Sequence, residues 1–131
     1  MKTAIAVTGL FVQNAPQSSG SIPFDQIEFT PYKVEGRKGV SVHTLYDTRN
    51  TDPLGPAAAI VRYEAGAVTP RHLHPGYELV FVLRGELIDD RGTHTSGSLQ
   101  IYPPDSHHEL RSEIGCEFLV VWEQPVRSLP T

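Results

Sequence analysis

The sequence predicts an all-β protein, a small barrel or jelly roll built from short strands. Three observations carry this. No long stretch shows the i, i+3, i+4 apolar repeat of an amphipathic helix. Short runs rich in Val, Ile, Thr, Tyr and Phe recur at roughly 8–12-residue spacing, with turn residues between them. Eleven prolines and eleven glycines are scattered over the 131 residues, as befits many strands joined by tight turns.

In chain order, residues 3–12 are rich in Ala, Ile, Val and Phe and predict a strand, one that pairs outside its own domain. The start is too short and too interrupted by Thr8 and Gly9 for a signal peptide, and it has no good cleavage site before Pro16. Residues 13–23 predict a polar linker. Residues 24–32, with Pro31, predict a loop or edge strand. A turn follows at 35–39, a strand at 40–46, a long loop at 47–56 and a strand at 57–63. Glu64, Ala65 and Gly66 predict a turn into residues 68–74. Pro75 and Gly76 turn the chain into 78–84, and Gly85 turns it again into 86–89. A hairpin at 90–92 leads to short strands at 93–95 and 98–102. After Pro103, Pro104 and Asp105 come strands at 107–111 and 117–122, and the tail, 125–131, predicts irregular structure.

The chain is long enough for one domain with a real core, and nothing in mid-chain splits it, so residues 1–131 are expected to form one domain. A net charge of −4 with no Lys/Arg run argues against a nucleic-acid partner. No apolar run approaches the ~20 residues of a membrane span. Cys116 is the single cysteine, which points to a reducing compartment, the cytoplasm, and to a small buried side chain.

Residues 79–83, LVFVL, are apolar at five consecutive positions. Alternate side chains on a strand face opposite ways, so both faces need cover. One face fills the barrel, and the other predicts a second sheet or a second subunit. With the apolar first segment, this makes a homodimer the expectation.

The chemistry gathers in residues 66–85, GAVTPRHLHPGYELVFVLRG. His72 and His74 share one strand face, with Cβ atoms about 7 Å apart, so both imidazoles can reach one ion at about 2.1 Å. Glu78 follows on what reads as the neighbouring strand, and His108 arrives about thirty residues later. A lone His-x-His is often surface decoration. A downstream acid and a further histidine turn the reading to a metal site.

These residues resemble the cupin superfamily, the RmlC-like barrels. Gly66, His72, His74, Glu78 and Gly85 fit G-x5-H-x-H-x3-E-x6-G at every specified position. Gly97, Pro103 and His108 fit G-x5-P-x-G-x2-H-x3-N, with Asp105 in place of Gly and Ser112 in place of Asn. The resemblance implies a cupin fold, a double-stranded β-helix or jelly-roll barrel. It implies His72, His74, Glu78 and His108 as ligands of one divalent transition metal ion per chain: Fe, Zn, Ni, Mn or Co. By count His108 holds the motif position, and His107 should face the other way. The texture of residues 39–121, with its Pro-Pro before the last histidine and its late Gly-Cys, is also similar to the cupin domain of the ChrR-like zinc-binding anti-sigma factors. The helical sigma-binding domain of those proteins has no counterpart in this sequence. The same branch is similar to small cupin dioxygenases that cleave carbon–carbon bonds beside ketones.

Four protein ligands leave room on a five- or six-coordinate ion for a small-molecule substrate. This supports a metal-dependent dioxygenase of a small ketone or hydroxylated aromatic. The alternatives are a non-catalytic zinc-binding or sensing module and a metal-dependent isomerase or lyase. Tyr77, Arg84, Tyr102 and His107 are the candidate catalytic residues, with Arg62, His43, His94 and Trp122 as further pocket candidates. By alternation, Val80, Val82 and Arg84 follow Glu78 onto the inner face. Metal affinity is expected to fall below about pH 6.5, because ligation needs neutral imidazoles.

Overall fold

The computed structural model describes residues 20–34 and 36–129. The first predicted strand and most of the predicted linker lie outside them. A 3-10 turn at Phe24–Gln26 precedes β1 (Thr30–Pro31), β2 (Lys38–Asp47), β3 (Ala57–Leu73), β4 (Glu78–Asp89), β5 (Gly92–Thr95), β6 (Leu99–Tyr102), β7 (His107–Arg111), β8 (Cys116–Trp122) and β9 (Arg127–Ser128). The described residues contain no α-helix, and no helix is long and apolar enough to cross a membrane. The all-β expectation holds.

The architecture rests on β3 and β4, because each serves two walls. The first part of β3 pairs with β2 and β8, and its end pairs with β7 and β9. The first part of β4 pairs with β6 and β8, and its end pairs with β5 and β7. All of these pairings are antiparallel. One continuous sheet thus folds over itself into a barrel-like sandwich. Its first wall holds β1, β2, the start of β3, β8, the start of β4 and β6. Its second wall holds β9, the end of β3, β7, the end of β4 and β5.

The exchange of partners falls at Gly66 (φ +87°) and Gly85 (φ +76°), a backbone region that costs other residues about 1–2 kcal/mol. Here the structure corrects the sequence reading. Residues 64–66 and Gly85 are not turns between strands. They are corners inside continuous strands. The tail is corrected too, because Arg127 and Ser128 pair with Leu73 and His72. A two-residue strand carries no periodicity to detect.

Two bulges set which residues point inward. β3 is buried on both faces at residues 57–61. From there the buried positions are odd-numbered through Val61, Tyr63, Ala67 and Thr69, then even-numbered at His72 and, just past the strand, His74. The register shifts between Thr69 and His72. In β4 the order reverses: Glu78, Val80 and Val82 are buried, then Leu87 and Asp89, across a shift between Val82 and Arg84. An extra residue in one strand swaps the faces of everything after it. Val61, Val80, Val82, Leu87, Phe118 and Val120 fill the interior, each contributing roughly 1.5–3 kcal/mol by burial.

The outer face of the first wall is unevenly covered. Residues 24–29 cross it, with Arg62 over the Phe29 ring, Arg84 over the Phe24 ring and His43 Nδ1 donating to the Glu28 carbonyl at 3.0 Å. Further along, Leu79, Phe81, Leu99 and Ile101 are exposed. They stand as the cross-strand pairs Leu79–Ile101 and Phe81–Leu99.

Candidate metal centre

His72, His74, Glu78 and His108 come together in one buried cluster whose donor atoms all lie within 4.8 Å of one another. Their route there differs from the simplest sequence picture. The β3 bulge turns His72 and His74 inward. His108 lies on β7 directly opposite His72. Glu78 opens β4 on the other wall, since β4 forms no ladder with β3. Three imidazoles thus come from the second wall and the carboxylate reaches across from the first. The cluster is a bridge between walls rather than a patch on one sheet.

The separations match one shared centre. His72 Nε2 and His108 Nε2 are 2.9 Å apart. Glu78 Oε1 lies 3.2 Å from His74 Nε2 and 3.5 Å from His108 Nε2. Donors held at about 2.1 Å from one ion stand about 3.0 Å apart at right angles and about 3.4 Å apart at the tetrahedral angle. His74 Nε2 and Glu78 Oε1 are buried with no hydrogen-bond partner among the described residues. Such atoms cost about 1–3 kcal/mol each, a cost that a bound cation would remove.

The surroundings orient each ring. His72 Nδ1 donates to the Pro70 carbonyl at 3.0 Å, so its Nε2 lone pair faces the cluster in the neutral ring. Ser106 Oγ donates to the Pro103 carbonyl at 2.6 Å. Its oxygen is therefore left to accept from His74 Nδ1 at 2.9 Å, which again frees Nε2 inward. His108 Nδ1 has no such partner among the described residues. Its ring is instead held edge-to-face by Tyr102, with centroids 4.3 Å apart. The Tyr102 hydroxyl donates to Asp89, which also binds His94 Nε2 at 2.8 Å. Asp105 adopts φ +70° where the motif has glycine, and its N–H donates to the His74 carbonyl at 2.8 Å. Ser112, at the other departure from the motif, ties the corner together through the Glu86 carbonyl and the Gly115 N–H.

Burial sets the protonation. It lowers His72 to about 4 and holds His108 far below the ordinary histidine range, with His72 and His74 adding to the effect. Both rings are neutral at pH 7, the form that can bind metal. Burial also raises Cys116 to about 11, which keeps it a thiol.

His72 and Glu78 also form part of the wall of a cavity. The rest of that wall is mostly apolar, with Val40, Val61, Val80, Leu110, Phe118, Val120, Trp122 and Val126, and the remaining side chains are Tyr32, Tyr63, Thr69 and Arg37. Of the candidate residues, Tyr102 packs on the cluster and Trp122 lines the cavity. Tyr77 is exposed on the turn after Gly76. His107 is exposed, as alternation predicts, and its Nδ1 lies 2.8 Å from Arg71 Nη1 on the outer face. Arg84 is corrected: the β4 bulge places it outside, near Glu117 at 3.7 Å. Arg62 and His43 also face outward, and His94 is two residues removed, through Asp89 and Tyr102. Tyr63, Thr69, Ser106 and Arg37 escaped the sequence reading. Tyr63 and Thr69 share an inward phase that could have flagged them.

The fold and this cluster define the chain as a cupin with a His/Glu cluster that could hold a metal. The sequence profile of the ChrR cupin-like domain family matches residues 17–127, and the chain belongs to that family. Among solved structures, it is similar to an acetylacetone dioxygenase from Acinetobacter johnsonii, at 16% identity and TM-score 0.73, covering 92% of this chain and 83% of the other. It is similar to the polyketide cyclase RemF from Streptomyces resistomycificus, at 21% identity and TM-score 0.69, covering 87% of each. The structure of Rhodobacter sphaeroides SigE in complex with the anti-sigma ChrR matches at 20% identity and TM-score 0.62, covering 76% of this chain and 51% of that chain. A comparison with curated proteins returned no match.

Proposed function

We propose that His72, His74, Glu78 and His108 hold one divalent transition metal ion per chain, and that the protein is a metal-dependent dioxygenase of a small ketone or hydroxylated aromatic. The observation that carries this is the position of the cluster. It is not sealed in packed side chains, because His72 and Glu78 line a cavity with an apolar wall. A ligand in that cavity lies against the cluster. When bound, the ion supplies Lewis acidity and, if it is iron, redox chemistry with dioxygen. The protein's own part is to present neutral imidazoles in fixed tautomers, to exclude bulk water with Val80, Val120 and Phe118, and to keep the Tyr63 phenol protonated by burial.

A non-catalytic metal module is the second reading, favoured by the family match. Cys116 gives that module no redox switch, since a buried thiol raised to about 11 is inert at pH 7. On either reading we take residues 1–131 as one cupin domain working in the cytoplasm. We also take it as a homodimer that buries Leu79, Phe81, Leu99 and Ile101. A monomer by light scattering at micromolar concentration would contradict the dimer.

Oxygen uptake by the iron-loaded protein across a panel of β-diketones, small keto acids and hydroxylated acetophenones tests the enzyme. Uptake with at least one compound, abolished in His108→Ala, is the expected result. Zinc in every preparation and no uptake with any compound would overturn it in favour of the second reading. Turnover of panel members without oxygen consumption would point instead to a lyase or isomerase.

A further inference from the structure

Among the described residues, Arg37 is the one guanidinium in a mostly apolar cavity wall. It precedes β2, on the loop from β1, and lines the cavity that His72 and Glu78 also border. Its guanidinium lies 5.2 Å from the centroid of the Tyr32 ring, and Tyr32 is itself buried against the same space. Its charge is felt at Tyr63 and His72, deeper in the barrel. It has no carboxylate within 4.0 Å among the described residues, which it shares with Arg91 and Arg127, whereas Arg49, Arg62, Arg71, Arg84 and Arg111 each have one. A guanidinium presents a fork of donors that fits a carboxylate. Arg37 is half-buried there, and removal from bulk water strengthens such a pairing.

We propose that Arg37 is the specificity-determining group of the cavity and takes the carboxylate of a small monocarboxylic acid. The short hydrocarbon body of that acid lies among Val40, Val61, Leu110 and Trp122. The apolar part of the wall suits a short hydrocarbon body. This deepens the reading above and rests on it for one point, that the end of the ligand away from Arg37 meets the metal centre. Within the ketone reading above, the substrate narrows to a small keto acid whose ketone end faces the metal centre.

Trp122 is the chain's single tryptophan and lines the cavity, so its fluorescence reports entry. The probes are butyrate and its neutral isostere butyramide, titrated into the full chain as purified. Wild type should bind butyrate at least tenfold more tightly. Arg37→Met should bring the two within twofold, and Arg37→Lys should keep a preference for butyrate. Equal binding of the two probes by wild type, no response to butyrate, or an undiminished preference in Arg37→Met would overturn the proposal. The same titration after chelation separates it from the metal reading. A preference that survives metal removal and needs Arg37 stands even if the metal centre proves non-catalytic. A preference lost with the metal but kept in Arg37→Met assigns the carboxylate to the ion and overturns the role of Arg37.

Discussion

Gly66 and Gly85 occupy equivalent places in the two long strands, and they are there for different reasons. Both lie where a strand changes walls, and both have positive φ. A Cβ on Gly66 would meet nothing within 4 Å, whereas a Cβ on Gly85 would lie 2.0 Å from the Gly115 carbonyl oxygen and 2.8 Å from Cys116 Cα. The β3 corner needs only a backbone conformation. The β4 corner needs that conformation and also the space, because β8 starts against it. The same pair of strands carries the cluster, so the two corners hold His72, His74 and Glu78 in register with one another.

The largest effect should come from breaking the tighter corner. Gly85→Ala adds a clash with backbone to an unfavourable φ and should cost more than about 3 kcal/mol or prevent folding. Gly66→Ala should cost about 1 kcal/mol, the price of φ alone. Urea denaturation compares them, and equal losses would erase the distinction between the corners.

Acid tests the cluster the corners support. Burial depresses His72 and His108 in the folded state, so the unfolded chain binds protons more readily. Stability of the metal-free protein is therefore fully present above about pH 6.5 and is lost as the pH falls toward about 4. His72 alone, shifted to about 4, accounts for about 3 kcal/mol at the acid end. A urea midpoint that stays flat from about pH 7 to about pH 4.5 would contradict this. Neutral rings below pH 6.5 also mean that protons displace metal at a lower pH than an ordinary histidine site would show.

A smaller effect belongs to the orienting contacts. Ser106→Ala removes the oxygen that accepts from His74 Nδ1. Metal affinity, read by competition with a chromophoric chelator, should fall roughly tenfold to a hundredfold. An unchanged affinity would mean that packing alone orients the ring.

Much of this was legible in the sequence, and the failures share one cause. Alternation correctly placed His72 with His74 and His108 opposite in direction to His107, because those inferences span only one or two residues. It failed for Arg84, because the register shift between Val82 and Arg84 leaves no mark in composition. The reading of Glu78 as a neighbour of the histidine strand failed for a related reason. A corner at Gly66 and a corner at Gly85 send the two strands to different walls, and only tertiary pairing shows it. Arg37 read as a turn residue because its position depends on how the β1–β2 loop packs over the cavity. Ser106 sat unnoticed between Asp105 and His107, since its value lies in a hydrogen-bond chain from Pro103 to His74.

In the proposed centre one buried ion is shared by both walls of the barrel. Metal content per chain, measured on wild type, His108→Ala and His107→Ala, tests it most directly. About one divalent metal per chain is expected in wild type and in His107→Ala, and loss of most of it in His108→Ala. No bound metal in wild type, or equal loss in the two variants, would contradict it.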